Sequence, residues 1–178
     1  MTEQADDPLN ARDFEALVRA QMPHLYRYAL WLSRDPGVAE EVVQEALLRA
    51  WRSIHKLRDT DAARSWLLTI VRRENARWFQ RQPDRALDVD HVAAMDEALR
   101  TPAVDTDVMD IRRAIAGMAK EYREPLVLQV LVGLTAEEIA GVMDLTSGAV
   151  LTRLYRARSQ LKEVLVKSAT GALRKIEK

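Results

Sequence analysis

The sequence predicts an all-α protein: two small helical domains joined by an acidic linker. Apolar residues recur at three- and four-residue steps along nearly the whole chain. The 178 residues are 48% hydrophobic and 30% charged with only six Gly and six Pro, which excludes a disordered or low-complexity chain. Between Gln82 and Asp107, seven acidic residues face two basic ones and Pro83 and Pro102 bracket the stretch, as in a solvated linker. The expected boundaries are a first domain at 10–82, a linker at 83–107 with a short helix near Met95, a second domain at 108–166, and a tail at 167–178.

In the first domain, Phe14, Leu17, Val18, Met22, Leu25, Ala29 and Leu32 form one stripe, with a kink or restart expected at Pro23. Ser33-Arg34-Asp35-Pro36-Gly37 breaks that helix. The next helix places Ala39, Val43, Ala46, Leu47, Ala50, Trp51 and Ile54 on about a third of its circumference, the expected buried face. Its other side carries Glu40, Glu41, Gln44 and Glu45, then Leu48, Arg49 and Arg52: a mixed face with an exposed leucine, suited to a protein partner. A polar loop, Arg58-Asp59-Thr60-Asp61, leads to a third helix containing Trp66, Leu67, Ile70, Val71 and Trp78. Trp51 and Trp66 are expected in the core. From Arg64 to Arg81 five arginines stand against Glu74 alone, interleaved with Trp78 and Phe79. Arginines with aromatic platforms fit opened or single-stranded nucleic acid, where bases stack and phosphates need counter-charge; a solvated basic face is the alternative.

In the second domain Ile111, Ile115 and Met118 open a helical pattern, and Pro125 to Val132 is apolar on all sides, as in the core helix of a small bundle. Thr135-Ala136-Glu137-Glu138 is a capping box that starts a short helix with Ile139, Ala140 and Met143 inward. Asp144-Leu145 turns the chain, and Thr146 caps a last helix with inner stripe Val150, Leu154, Ala157, Leu161, Val164 and Leu165. Two helices joined by so short a turn form a helix-turn-helix. At about 100° per residue, Ala149, Thr152, Tyr155, Arg156 and Ser159 lie opposite the core, flanked by Leu151, Arg153 and Arg158. Small, hydroxyl and arginine side chains suit a major groove, where Thr touches bases and Arg bridges guanine or phosphate. A solvated face would carry mixed Glu and Lys; Ser147 to Lys167 holds five basic residues against Glu163.

The absence of cysteine excludes disulfides, thiolate metal sites and cysteine nucleophiles. His24, His55 and His91 are isolated, so no metal site is expected, and no nucleophile–base pair or phosphate loop points to catalysis or a cofactor. The acidic start MTEQADDPLNARD is no signal peptide, and no apolar run approaches the roughly 20 residues that span a bilayer. A cytoplasmic protein without membrane insertion is expected.

Five segments in order, Gly37 to Trp51, Ala63 to Arg73, Glu121 to Leu126, Thr135 to Ala140 and Arg153 to Arg158, resemble the extracytoplasmic-function sigma factors of bacterial RNA polymerase. The resemblance covers roughly residues 10–166. It implies that the first domain is a region 2 helical bundle docking on the clamp coiled coil of the polymerase core through Glu41, Gln44, Glu45, Leu48 and Arg49. It implies that the loop after Leu57 and the following helix melt the minus-ten element and hold an extruded base, with Arg58, Arg64, Arg72, Arg73, Asn75, Arg77 and Trp78 as candidates. Region 4 would then read the minus-thirty-five element of promoter DNA through Thr146, Ser147, Ala149, Leu151, Thr152, Arg153, Tyr155, Arg156 and Ser159, and rest on the polymerase flap, with the linker in the RNA-exit path. Ala149 and Leu151 replace the Thr and the basic residue most common in the family, and Tyr155 stands where His or Phe is common. A non-enzymatic initiation factor controlled by an anti-sigma factor follows from the resemblance. The rival from the residues alone is a stand-alone dimeric helix-turn-helix regulator, which leaves the first domain's docking and basic faces unexplained.

A formal net charge of zero argues, on average, against a nucleic-acid binder. It is a cancellation: two helices carry a basic excess while the linker carries an acidic one.

Overall fold

The computed structural model describes residues 11–57, 59, 61–82 and 106–176, excepting the side chains of residues 11, 56, 106–110 and 167–176. Arg58, most of the linker and the helix expected near Met95 lie outside the described residues. Helix α1 (Ala11–Ser33) continues through Pro23 rather than restarting there. It ends where Arg34 takes a left-handed conformation, φ 59°. Asp35 then caps α2 (Pro36–Arg52), its Oδ1 accepting the Val38 N–H at 3.1 Å, and Pro36 occupies the first turn, where a missing N–H costs nothing. A single 3₁₀ turn (Ile54–Lys56) leads toward α3 (Ala63–Arg81).

In the second unit α4 (Thr106–Gly117) is followed by α5 (Lys120–Val127), which widens into a π turn (Leu128–Val132). Gly133 closes that turn at φ 78°, where a side chain would be strained. The Thr135 capping box is formed as expected: the hydroxyl accepts the Glu138 N–H at 3.2 Å and the Glu138 carboxylate accepts the Thr135 N–H at 2.8 Å. Helix α6 (Ala136–Met143) ends at Asp144, left-handed at φ 56°. Thr146 caps α7 (Ser147–Ile176) through the Ala149 N–H at 3.2 Å.

Helices α1, α2 and α3 pack pairwise, and α5 and α6 pack on α7. The two units also pack on each other, α3 against α6 and α1 against α5 and the π turn, so the buried residues of both form one continuous apolar cluster. This explains a departure from the expected single stripe on α1. Tyr28, Ala29, Leu30, Trp31 and Leu32 are all buried, because α2 and α3 cover one side of the helix and the second unit covers another.

Three further expectations are corrected. Trp51 is exposed rather than in the core, its ring against Phe14 with centroids 5.2 Å apart. The segment from Pro125 to Val132 is not buried all round: Leu126, Val127, Leu128 and Val132 face inward, while the π turn leaves Val130 in solvent. On α7, Val150, Leu154 and Ala157 are buried, but Val164 is exposed because the helix continues past the bodies of α5 and α6.

Candidate nucleic-acid interface and docking face

Helix α7 places Leu151, Thr152, Tyr155 and Arg156 on one exposed face, one helical turn apart in pairs. Tyr155 is 72% exposed and Leu151 57%, an aromatic and an aliphatic side chain beside an exposed arginine. Thr146 is exposed with its hydroxyl engaged in capping, and the exposed Thr152 donates its hydroxyl to the Gly148 carbonyl at 2.9 Å. Ser147, Ala149, Arg153 and Ser159 are half-buried at the edges of this face. Arg156 donates to the Tyr122 hydroxyl at 3.3 Å, a weak exposed tether, and Arg158 to the Gln129 side chain at 2.5 Å. Leu151 is thus more outward than Ala149, the reverse of the order read from the helical wheel.

On α2, Glu41, Gln44, Glu45 and Leu48 are exposed together. Arg49 is only half exposed and pairs with Glu74, which also pairs with Arg77. Glu74 is buried, so one carboxylate ties the C-terminal half of α2 to α3 and occupies two guanidinium groups expected at binding faces. Trp51, expected in the core, is exposed on the same helix beyond Leu48. It lies three residues after Leu48 and seven after Gln44, and that spacing is the signal that could have found it.

The basic helix α3 is divided. Arg73 is exposed. Asn75 and Trp78, expected at DNA, are buried and pack the inside of α3, with Trp78 edge-on to Phe79 at 5.0 Å. Arg64 and Arg72 turn toward the second unit. The Arg64 Nε donates to Gln21 at 3.1 Å and its Nη1 to the Val132 carbonyl at 3.3 Å. The Arg72 Nε donates to Glu124 at 2.7 Å, and Glu124 also accepts the Tyr28 hydroxyl at 2.8 Å. Burial, the Glu124 charge and this hydrogen bond together push the Tyr28 phenol well above its ordinary pKa, against the opposing pull of Arg72. For Arg72, burial works against the charge, but the Glu124 carboxylate outweighs it and the pKa is raised. Among the described residues no group of three or more His, Cys, Asp or Glu could hold a metal ion, and no helix is long and apolar enough to cross a membrane.

The sigma-70 region 2 family matches residues 17–84, and the sigma-70 region 4 family matches residues 109–161. The chain belongs to the extracytoplasmic-function sigma factors. This sigma factor is 31% identical over 157 residues to the probable RNA polymerase sigma-C factor of Mycobacterium bovis, covering 85% of this chain and 83% of that one. It is 34% identical over 150 residues to the factor SigL of Mycobacterium tuberculosis, with 79% and 82% covered. Its fold is similar to that of the sigma factor RpoE in complex with the anti-sigma factor NepR from Bartonella quintana, at TM-score 0.69 and 25% identity over 87% of this chain and 98% of that one. It is similar also to CnrH in complex with the cytosolic domain of CnrY, at TM-score 0.67 and 23% identity over 89% and 90%. Sigma factors are non-enzymatic initiation factors, and the all-α architecture with a region 2 and a region 4 follows the family.

Proposed function

We propose that this sigma factor binds core RNA polymerase through the α2 face of Glu41, Gln44, Glu45, Leu48 and Trp51, and directs initiation at promoters it reads with two helices. Helix α7 enters the minus-thirty-five major groove. Arg156 reaches a guanine edge or a phosphate, while Leu151 and the Thr152 methyl contact thymine methyl groups. Helix α3 and the loop before it, with Arg58, Arg64, Arg72, Arg73 and Arg77, hold the opened minus-ten strand, and Asn75 and Trp78 support that helix from beneath. The observation that carries this reading is the ordered pair of matches to region 2 and region 4, with the α2 residues Glu41 to Leu48 and the α7 residues Leu151 to Arg156 supporting it by the exposed side chains they present. A stand-alone dimeric regulator is not favoured, because the region 2 match accounts for the first unit.

The protein works in the cytoplasm, where its template and polymerase are, and a cognate anti-sigma factor controls it; the likeness to a sigma factor bound to an anti-sigma factor supports this. In-vitro transcription with purified core polymerase on a genomic fragment library tests the reading. Discrete start sites that depend on the added protein are expected. A folded protein that neither binds core nor directs a start site overturns it.

A further inference from the structure

The exposed face at the start of α7 carries one residue that the fold itself does not explain. Gly148 lies in the first turn of the helix and is exposed, and a Cβ built there would meet nothing within 4 Å. It is helical rather than left-handed, so its backbone does not require glycine either. Within a helix glycine is less favourable than alanine, because it loses more backbone freedom on folding. The missing side chain therefore makes room for something outside the chain. Leu151 follows three residues on and Tyr155 seven, the spacing of one helix face, and both are exposed. Thr152, on the same face, donates its hydroxyl proton to the Gly148 carbonyl. Around this apolar strip, Ser147 to Lys167 holds five basic residues against Glu163, a surface suited to a polyanion. The apolar group that a base edge offers in the major groove is the thymine 5-methyl.

We propose that Gly148, Leu151 and Tyr155 are specificity-determining residues that select minus-thirty-five sequences by the positions of thymine 5-methyl groups. The inference rests on the reading of α7 as the minus-thirty-five helix and deepens it, by adding Gly148 and Tyr155 and by assigning discrimination to apolar contact. A recognition helix enters the major groove by its N-terminal residues. Without a Cβ at position 148 the first turn of α7 approaches the base edges more closely, by the thickness of a methyl group. Leu151 and Tyr155, roughly one and two turns further on, then cover methyl groups along the groove. Covering one methyl group changes affinity about fourfold. The basic residues of α7 supply attraction to phosphates that falls with salt, whereas the strip supplies discrimination that salt leaves nearly unchanged.

The test uses holoenzyme assembled from the full-length protein and a promoter found by the transcription assay. Replacing the thymines of its minus-thirty-five element by deoxyuridine removes the 5-methyl groups and leaves base pairing and the other groove groups in place. Competition binding is expected to show a loss of about fourfold for each methyl group covered, the same at low and high salt. Leu151→Ala and Tyr155→Ala should each lower the thymine-to-uracil ratio, and together bring it to about one. Gly148→Ala should raise the melting temperature of the free protein by about 1–4 °C while weakening promoter binding about tenfold, opposite signs that a merely structural glycine would not give. Wild-type holoenzyme that binds the thymine and uracil promoters equally overturns the inference, and this arm needs no variant to fold. Start sites whose minus-thirty-five elements carry no thymine overturn it as well, as does Gly148→Ala that binds the promoter like wild type. In each of these cases start sites are still programmed and the sigma reading stands. Wild type that programmes no start site overturns that reading and this inference with it.

Discussion

Replacing Trp51 with alanine separates docking from folding. Trp51 is 46% exposed, so about half of its surface is already committed to the fold, where its ring meets the Phe14 ring 5.2 Å away. The buried half, on the order of 100 Å² of apolar surface, is worth about 2.5 kcal/mol and an aromatic pair of this kind adds about 0.5–1.5 kcal/mol beyond its area, so Trp51→Ala should cost folding roughly 3–4 kcal/mol. In a chain of this length that lowers the melting temperature by roughly 6–16 °C, and the melt establishes the temperature at which the variant is folded for the binding assay. The outward half is about 100 Å² of apolar surface, worth about 2.5 kcal/mol when a partner covers it at about 25 cal/mol per Å². Affinity for core polymerase should therefore fall on the order of 70-fold. A labelled sigma factor titrated with core and followed by anisotropy reads this directly, with thermal melts alongside and Glu137→Ala on the other unit as a control. If folded Trp51→Ala binds core with wild-type affinity, Trp51 lies outside the docking surface and its exposure has another cause.

Three other outcomes follow from the geometry. Arg156→Ala should leave the melting curve within about 0.5 kcal/mol of wild type, since it loses only an exposed 3.3 Å contact with Tyr122, yet weaken promoter binding by about 1–3 kcal/mol in a holoenzyme binding assay. Equal losses on all sequences would identify a phosphate contact, and losses confined to one position a base contact. Tyr28→Phe should cost about 1.5–3 kcal/mol at neutral pH in chemical denaturation, the range for a hydrogen bond to a charged group. Its pH profile should also change: below about pH 10 both folded and unfolded Tyr28 are protonated, and above it the unfolded chain loses the proton while the folded one, with its raised pKa, retains it. Wild-type stability should thus fall more steeply than that of Tyr28→Phe as pH rises beyond 10; parallel profiles would contradict the burial of this phenol. Thr135→Ala removes the cap of α6 and should cost about 1 kcal/mol by thermal melting, with the partner Glu138 side chain left in solvent.

The features legible from residues alone are those whose chemistry closes within four positions. Asp35 and Pro36 start α2, Thr135 and Glu138 start α6, and Thr146 starts α7, each because a side chain three residues from a free N–H can reach it in any context. The exposure of Glu41, Gln44, Glu45 and Leu48 was equally legible, since their spacing places them away from the alanines and valines of α2. The acidic linker and the two basic helices are compositional, and the zero net charge that seemed to exclude nucleic acid dissolves once they are counted apart. The ordered motifs then select the family.

What a helix face meets is another matter, because that depends on which distant element lands on it. Trp51 reads as core by its neighbours Ala46, Leu47 and Ala50, but it stays half exposed with its ring against Phe14 of α1. Trp78 reads as a nucleic-acid platform and the resemblance adds Asn75, yet both are buried, while Arg49 and Arg77 share the buried Glu74. Arg72 meets Glu124 from 52 residues away, and Tyr28 meets it from 96. Helical periodicity, caps and charge counts are local properties of the chain, and they determine the helices and the kind of surface each carries. The packing of region 4 onto region 2 depends on nonlocal burial, and it decides which of those basic surfaces are free and which are held by the protein's own carboxylates.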